Sequence, residues 1–157
     1  MSRTLTATVL GALVAGAFVV GAAVPADAGG PISVRIKKPN GTPVSEISLA
    51  PGAKKSMQVI VKNLSVSGSD FILADSAPIS GGWTKRWFRG SRNITNAVTN
   101  EGYEVHLPNG VRKEFRVKLK RADPSTGAGC VNAQMFEGPT LRGLGVLGVN
   151  QPATDCI

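Results

Sequence analysis

Residues 83–121 read WTKRWFRGSRNITNAVTNEGYEVHLPNGVRKEFRVKLKR, and the reading of this stretch decides the fold. Apolar residues recur at every second position twice, as Tyr103, Val105 and Leu107 and again as Phe115, Val117 and Leu119. Successive side chains of a strand point to opposite faces, so each run has one apolar and one polar side. Pro108-Asn109-Gly110 between them is turn chemistry, with a fixed φ at the proline and easy positive φ at the asparagine and glycine. The pattern predicts an antiparallel hairpin over one buried face.

The flanking sequence repeats this grammar. Upstream, Ile32, Val34 and Ile36 alternate with Ser33, Arg35 and Lys37; a turn follows over 38–43, then a short strand over 46–49 and the pair Pro51-Gly52. In 56–63, Met57, Val59 and Val61 share a side, and only Ile60 interrupts the polar one. A polar loop over 65–70 leads to a short apolar strand over 71–74, broken by Pro78 and Gly81-Gly82. Residues 83–88 form a further strand, and 93–100 a polar crossing segment held by Ile94 and Val98. Downstream of Arg121 come a loop over 123–129 and two last strands over 130–136 and 141–149. No segment of useful length outside the N-terminus has a helical period. Seven to nine short strands punctuated by Gly, Pro and Asn describe an all-β chain, an antiparallel two-sheet β-sandwich with a closed barrel as the competing architecture.

Residues 1–28 have the layout of a secretory signal peptide: Arg3, an uncharged Ala/Val/Gly/Leu run, then Ala26-Asp27-Ala28 as a small-residue cleavage site. The run is about long enough to serve as an uncleaved anchor, but its alanines and glycines make it weakly hydrophobic, and Pro25 before the A-x-A pattern favours cleavage. Cleavage leaves residues 29–157, a length that suits one domain folding without metal or partner. It removes Arg3 and Asp27, so the formal net charge stays at +8. In an oxidising compartment the two cysteines, Cys130 and Cys156, are expected to form a disulfide, worth roughly 3 kcal/mol for a loop of this length. The absence of C-x-x-C argues against redox work.

Several quoted residues fall in one order: Pro51-Gly52, Val59-x-Val61-x-Asn63, Phe71-x-Leu73, W-x-x-x-W-F-x-G from Trp83, N-I-T from Asn93, Gly102-Tyr103, and Leu107-Pro108-x-Gly110 before a long alternating strand. This order resembles bacterial immunoglobulin-like domains with a P-G…V-x-N signature, found in secreted and surface proteins and appended to hydrolases. The resemblance covers roughly 32–121. It implies an immunoglobulin-like sandwich and a role as spacer, adhesion unit or accessory module. The chain departs from the pattern at its end, where residues 130–140 look like an insertion and the last strand is cut off at Ile157.

Catalytic constellations are incomplete. The single histidine, His106, alternates onto the polar side beside Glu104, whereas a general base needs a sheltered imidazole. One histidine and a paired cysteine couple leave no zinc or copper ligand set, so no cofactor is expected. Acid pairs such as Asp70 with Asp75 or Glu101 with Glu104 read as solvated loop acids. An enzyme is therefore not expected.

Two features point to binding. Arg112, Arg116, Lys118 and Lys120 line the side of their strand opposite Phe115, Val117 and Leu119; Arg35, Lys37 and Lys62 lie on other strands, and Lys85, Arg86, Arg89 and Arg92 crowd the middle segment. Such a field attracts anionic polymers or surfaces, although lysines at outward strand positions also serve solubility and edge protection. Trp83 and Trp87 share one side of their strand with Lys85 between them, either as a stacking platform for a sugar or as sandwich core. The expectation is a secreted, non-catalytic binding or structural module. Its candidate ligand-binding residues are Trp83, Lys85, Trp87, Arg116, Lys118 and Lys120, and its candidate partners an anionic cell-envelope polymer or a carbohydrate rather than nucleic acid. The sequons at Asn40, Asn63 and Asn93 matter only in a glycosylating eukaryotic pathway.

Overall fold

The structure, a computed structural model, describes residues 30–77, 82–122 and 127–157. The leader reading of 1–28, the strand break at Pro78 and Gly81, and most of the 123–129 loop lie outside the described residues. Ten strands run in chain order as β1 (Ile32–Lys37), β2 (Glu46–Ile47), β3 (Lys54–Asn63), β4 (Asp70–Ala74), β5 (Trp83–Arg89), β6 (Arg92–Asn93), β7 (Tyr103–His106), β8 (Arg112–Arg121), β9 (Gly129–Glu137) and β10 (Thr140–Val149). They form two packed five-stranded sheets, β1-β3-β8-β5-β6 and β2-β10-β9-β4-β7. The strand beyond the expected nine is β6, two residues long and turned back onto β5 through Gly90 at φ 57°.

Alternation decides which side of each strand is buried. Ile32, Val34 and Ile36 of β1, Met57, Val59 and Val61 of β3, and Phe115, Val117 and Leu119 of β8 all lie inside the first sheet, each at most 2% exposed. Phe71 and Leu73 of β4, Val105 of β7, Val131, Ala133 and Met135 of β9, and Leu147 and Val149 of β10 face them from the second. Ile60, the apolar residue on the polar side of β3, is also buried. It sits in register between Arg35 and Glu114, whose aliphatic stems are long enough to cover it.

The hairpin expected over 103–119 does not exist. The Pro108–Gly110 turn forms as read, with Val111 N–H donating to the Pro108 carbonyl and Gly110 at φ 80°, but it carries the chain from one sheet to the other. β7 pairs with β4, Val105 opposite Phe71, whereas β8 pairs with β3 and β5. The two apolar sides therefore meet across the core instead of side by side, and the rings of Tyr103 and Phe115 touch edge to face at 6.0 Å between centroids. A period of two cannot tell these arrangements apart, because both bury the same residues.

Asn63, the asparagine of the V-x-N motif, pins this crossing. It is fully buried; its side-chain amide donates to the carbonyls of Val66, Gly68 and Leu107, its side-chain oxygen accepts from Val66 N–H, and its backbone bonds Gly110 and Val111. A buried amide with every group paired holds the corner where a loop and two sheets meet.

On the other side of the sandwich β1 lies close against β10, the Val34 side chain and backbone packing onto glycines of β10. A Cβ on Gly145 would stand 2.7 Å from Val34 Cγ1 and 3.1 Å from the Val34 carbonyl oxygen, so the glycines of β10 permit this close approach. The chain ends in a 3-10 turn, Ala153–Cys156, beside β10 and β9. The disulfide Cys130–Cys156 fixes it there, as expected, with Cα atoms 5.7 Å apart. Asn132 Nδ2 donates to the Cys156 carbonyl, and Gln151 Nε2 to the Gly129 carbonyl. Residues 130–140 are thus not an appendage: they supply β9, which lies between β10 and β4 in its sheet.

Candidate functional site

β5 has two unlike sides, and three of the residues expected to bind ligand lie on the buried one. Trp83, Lys85 and Trp87 do share a side, but it faces the core: Trp83 is 8%, Lys85 4% and Trp87 0% exposed. Neither indole is open for stacking, and both belong to the sandwich core. Trp87 Nε1–H donates to Asp75 Oδ2 at 3.1 Å, and Trp83 packs against Gly129, where a Cβ would stand 3.1 Å from its ring.

Lys85 between them is buried because Asp75 meets it. Its ammonium lies 2.7 Å from Asp75 Oδ2 and donates to the carbonyl oxygens of Ala77 and Cys130 at 3.2 and 3.1 Å, so each of its three hydrogens has an acceptor. Asp75 Oδ1 in turn accepts the backbone N–H groups of Ala77 and Asn132, both at 3.1 Å. Burial pushes the Lys85 ammonium below the 10.5 of an exposed lysine, against the upward pull of the Asp75 charge and hydrogen bond. This polar knot joins the end of β4 to β5 in the opposite sheet and to β9. The reading of Asp75 as a solvated loop acid is therefore overturned. A signal was present: Asp75 continues the inward parity of Phe71 and Leu73, and Lys85 that of Trp83 and Trp87, so two opposite charges were aimed at one core.

The other side of β5 belongs to a basic face. Strand parity gathers on the outer surface of the first sheet Arg35 and Lys37 from β1, Lys54 and Lys62 from β3, Arg112, Arg116, Lys118 and Lys120 from β8, and Arg86 from β5. Glu114 is the acid that shares this face, 3.8 Å from Arg112. Basic residues that the sequence placed on four separate strands thus become one surface. The register also sets like charges directly opposite one another: Lys54 against Lys120, Arg86 against Lys118, and Lys62 against Arg112. Directly opposed like charges destabilise a sheet.

Within this face Phe88 lies under two cations, Arg116 Cζ at 5.5 Å and Lys118 Nζ at 4.9 Å from its ring centre. Arg116 also donates to the Gly90 carbonyl, which orients its guanidinium. At the end of the face away from Phe88, Lys54, Ser56, Thr84, Arg86, Lys118 and Lys120 line an open trough of about 570 Å³. Of the residues expected to bind ligand, the structure therefore brings Arg116, Lys118 and Lys120 together on one surface and puts Trp83, Lys85 and Trp87 behind it.

His106 stands on the outer side of β7, its side chain 65% exposed and 2.9 Å from a still more open Asp70, a pair without shelter from water. Glu101 accepts from Asn96 Nδ2 in the helical turn Ala97–Glu101, the form taken by the polar crossing segment, with Val98 buried beneath. Of the three sequons, Asn63 is enclosed in the core while Asn40 and Asn93 are exposed.

No protein-family model matches the chain, and no curated protein matches it by sequence. Among solved structures it is similar to the N-terminal domain of PorA, at 12% identity and a TM-score of 0.44, over 74% of this chain and 94% of that one. It is also similar to a family 123 glycoside hydrolase from Clostridium perfringens, at 7% identity and a TM-score of 0.45, over 75% of this chain and 27% of the hydrolase. The chain is a β-sandwich of two five-stranded sheets with distant structural similarity to these two proteins.

Proposed function

We propose that the chain is an exported, non-catalytic sandwich module of the immunoglobulin-like kind that attaches to an anionic polymer of the cell envelope through the outer face of its first sheet. The observation that carries this reading is the set of like-charged residues placed directly opposite one another across β3, β8 and β5. Such pairs work against folding, and a face meant only for solubility would be served as well by mixed charge. A polyanion laid across the face turns that repulsion into attraction, because its negative groups sit between the cations. Export is supported by the leader-like residues 1–28 and by the Cys130–Cys156 bridge. The non-catalytic part rests on where the acids and the histidine lie. Asp75 is bound in the core by Lys85 and Trp87, and His106 is open to water.

Pull-down of the purified protein on cell-wall polymer at two salt concentrations tests the reading. Retention at low salt that is lost at high salt is expected, since exposed charges are screened within about 10 Å at 0.1 M. No retention at low salt overturns it.

A further inference from the structure

We infer that the trough at the open end of the basic face is a site for the phosphate groups of a phosphodiester polymer. This inference rests on the polyanion reading above and adds the chemistry of the ligand.

The floor of the trough is a patch of two rows across three strands. Lys54, Lys120 and Thr84 are in register in one row, and Ser56, Lys118 and Arg86 in the next. Rows two residues apart on a strand are separated by roughly 6.8 Å, and neighbouring strands by about 4.8 Å. Four cations and two hydroxyls therefore stand on a patch of roughly 7 by 10 Å, room for a phosphate and the groups bonded to it, with Lys118 at the edge shared with Phe88. No acid lines the trough.

Charge alone would suit any anion, but the donor set is more particular. A carboxylate is planar, and its two oxygens take their hydrogen bonds, up to about four, in or near that plane. A phosphodiester offers two charged oxygens and two bridging ones in a tetrahedral arrangement, and takes donors from several directions. Here a guanidinium, ammonium groups and hydroxyls approach from opposite strands. Arg86 supplies the planar fork that binds phosphate with two parallel bonds. Ser56 and Thr84 lie diagonally across the patch, on either side of Lys118 and Lys120, where neutral donors can reach the oxygens the cations leave free.

The test compares retention of the full-length mature chain on immobilised poly(glycerol phosphate) and on polygalacturonate of matched charge density, at the same ionic strength. Poly(glycerol phosphate) is expected to bind about tenfold more tightly, the scale of one charge-assisted hydrogen bond. The combined substitution Ser56→Ala, Thr84→Val and Arg86→Lys keeps every charge and should bring the two polymers to equal retention while binding persists. Lys120→Glu should release both.

Equal retention of the two polymers by the unsubstituted protein overturns the phosphate inference and leaves the polyanion reading standing. Retention of neither overturns both. Unchanged phosphate preference in the triple variant overturns the assignment to this trough, with circular dichroism and thermal unfolding confirming that the variant folds. Vesicles of phosphatidylglycerol and phosphatidylcholine in equal parts form the last arm. Binding to them that matches poly(glycerol phosphate) and is lost with Lys120→Glu would make the ligand a lipid surface and overturn the polymer.

Discussion

Reversing charge at Lys118 and Lys120 should strengthen the fold and weaken the proposed polymer binding. In register, Lys120 stands opposite Lys54 and Lys118 opposite Arg86. Side chains so placed have Cβ atoms about 5 Å apart, and a directly opposed pair of charges changes stability by roughly 0.2–1 kcal/mol, favourably when the signs differ. Lys118→Glu with Lys120→Glu removes two repulsions and creates two attractions. These groups are exposed, so the lower part of the range applies to each term. Less about 0.5 kcal/mol for the lost Lys118–Phe88 contact, the sum is about 0.5 kcal/mol at low ionic strength, which for a domain of this size raises Tm by roughly 2 °C. Thermal unfolding followed by circular dichroism measures it. The gain should vanish near 1 M salt, where the Debye length is about 3 Å. Retention on the anionic polymer, measured on the same samples, should be lost. An unchanged or lower Tm at low salt refutes the claim that the face holds its charges at a cost in stability. Retention that survives the two reversals refutes its role in binding.

The buried pair behaves in the opposite way. Asp75→Ala alone strands the Lys85 ammonium in the core and should cost about 3–5 kcal/mol, whereas Asp75→Leu combined with Lys85→Met should recover most of that loss; denaturant unfolding of the single and double variants reads the difference. The pH dependence has a definite sign. Lys85 is held below 10.5 in the folded chain, so between its folded value and 10.5 the unfolded chain binds more protons and stability rises with pH, an alkaline slope that Lys85→Met should lack when the two stability curves are subtracted. Replacing Cys130 and Cys156 together by serine should lower stability by roughly 3 kcal/mol, seen as a Tm drop on the order of 10 °C, and an unchanged Tm would mean that the bridge does not constrain the unfolded chain. Gly145→Val should destabilise more than a typical surface change, because its side chain would collide with Val34 Cγ1 and force β1 away from β10; a Tm within a degree or so of the parent would refute that close approach.

What the amino-acid sequence determined by itself was everything governed by a period of two and by local turn chemistry. The alternation of Ile32, Val34 and Ile36, of Met57, Val59 and Val61, and of Phe115, Val117 and Leu119 named both the strands and their buried sides, and the Cys130–Cys156 partnership followed from there being two cysteines. Only the tertiary structure decided which strands are neighbours. Strands 4.8 Å apart in one sheet and strands about 10 Å apart in facing sheets present the same apolar pattern, so 103–119 could be read as a hairpin when its halves belong to opposite sheets. The candidate site divided along the same line. That Arg116, Lys118 and Lys120 point outward is a matter of parity, and the sequence contained it. That Arg35, Lys62 and Arg86 join them, and that Lys85 leaves them for the core, depends on partners far along the chain, because a charge is buried only where folding brings an opposite charge to meet it.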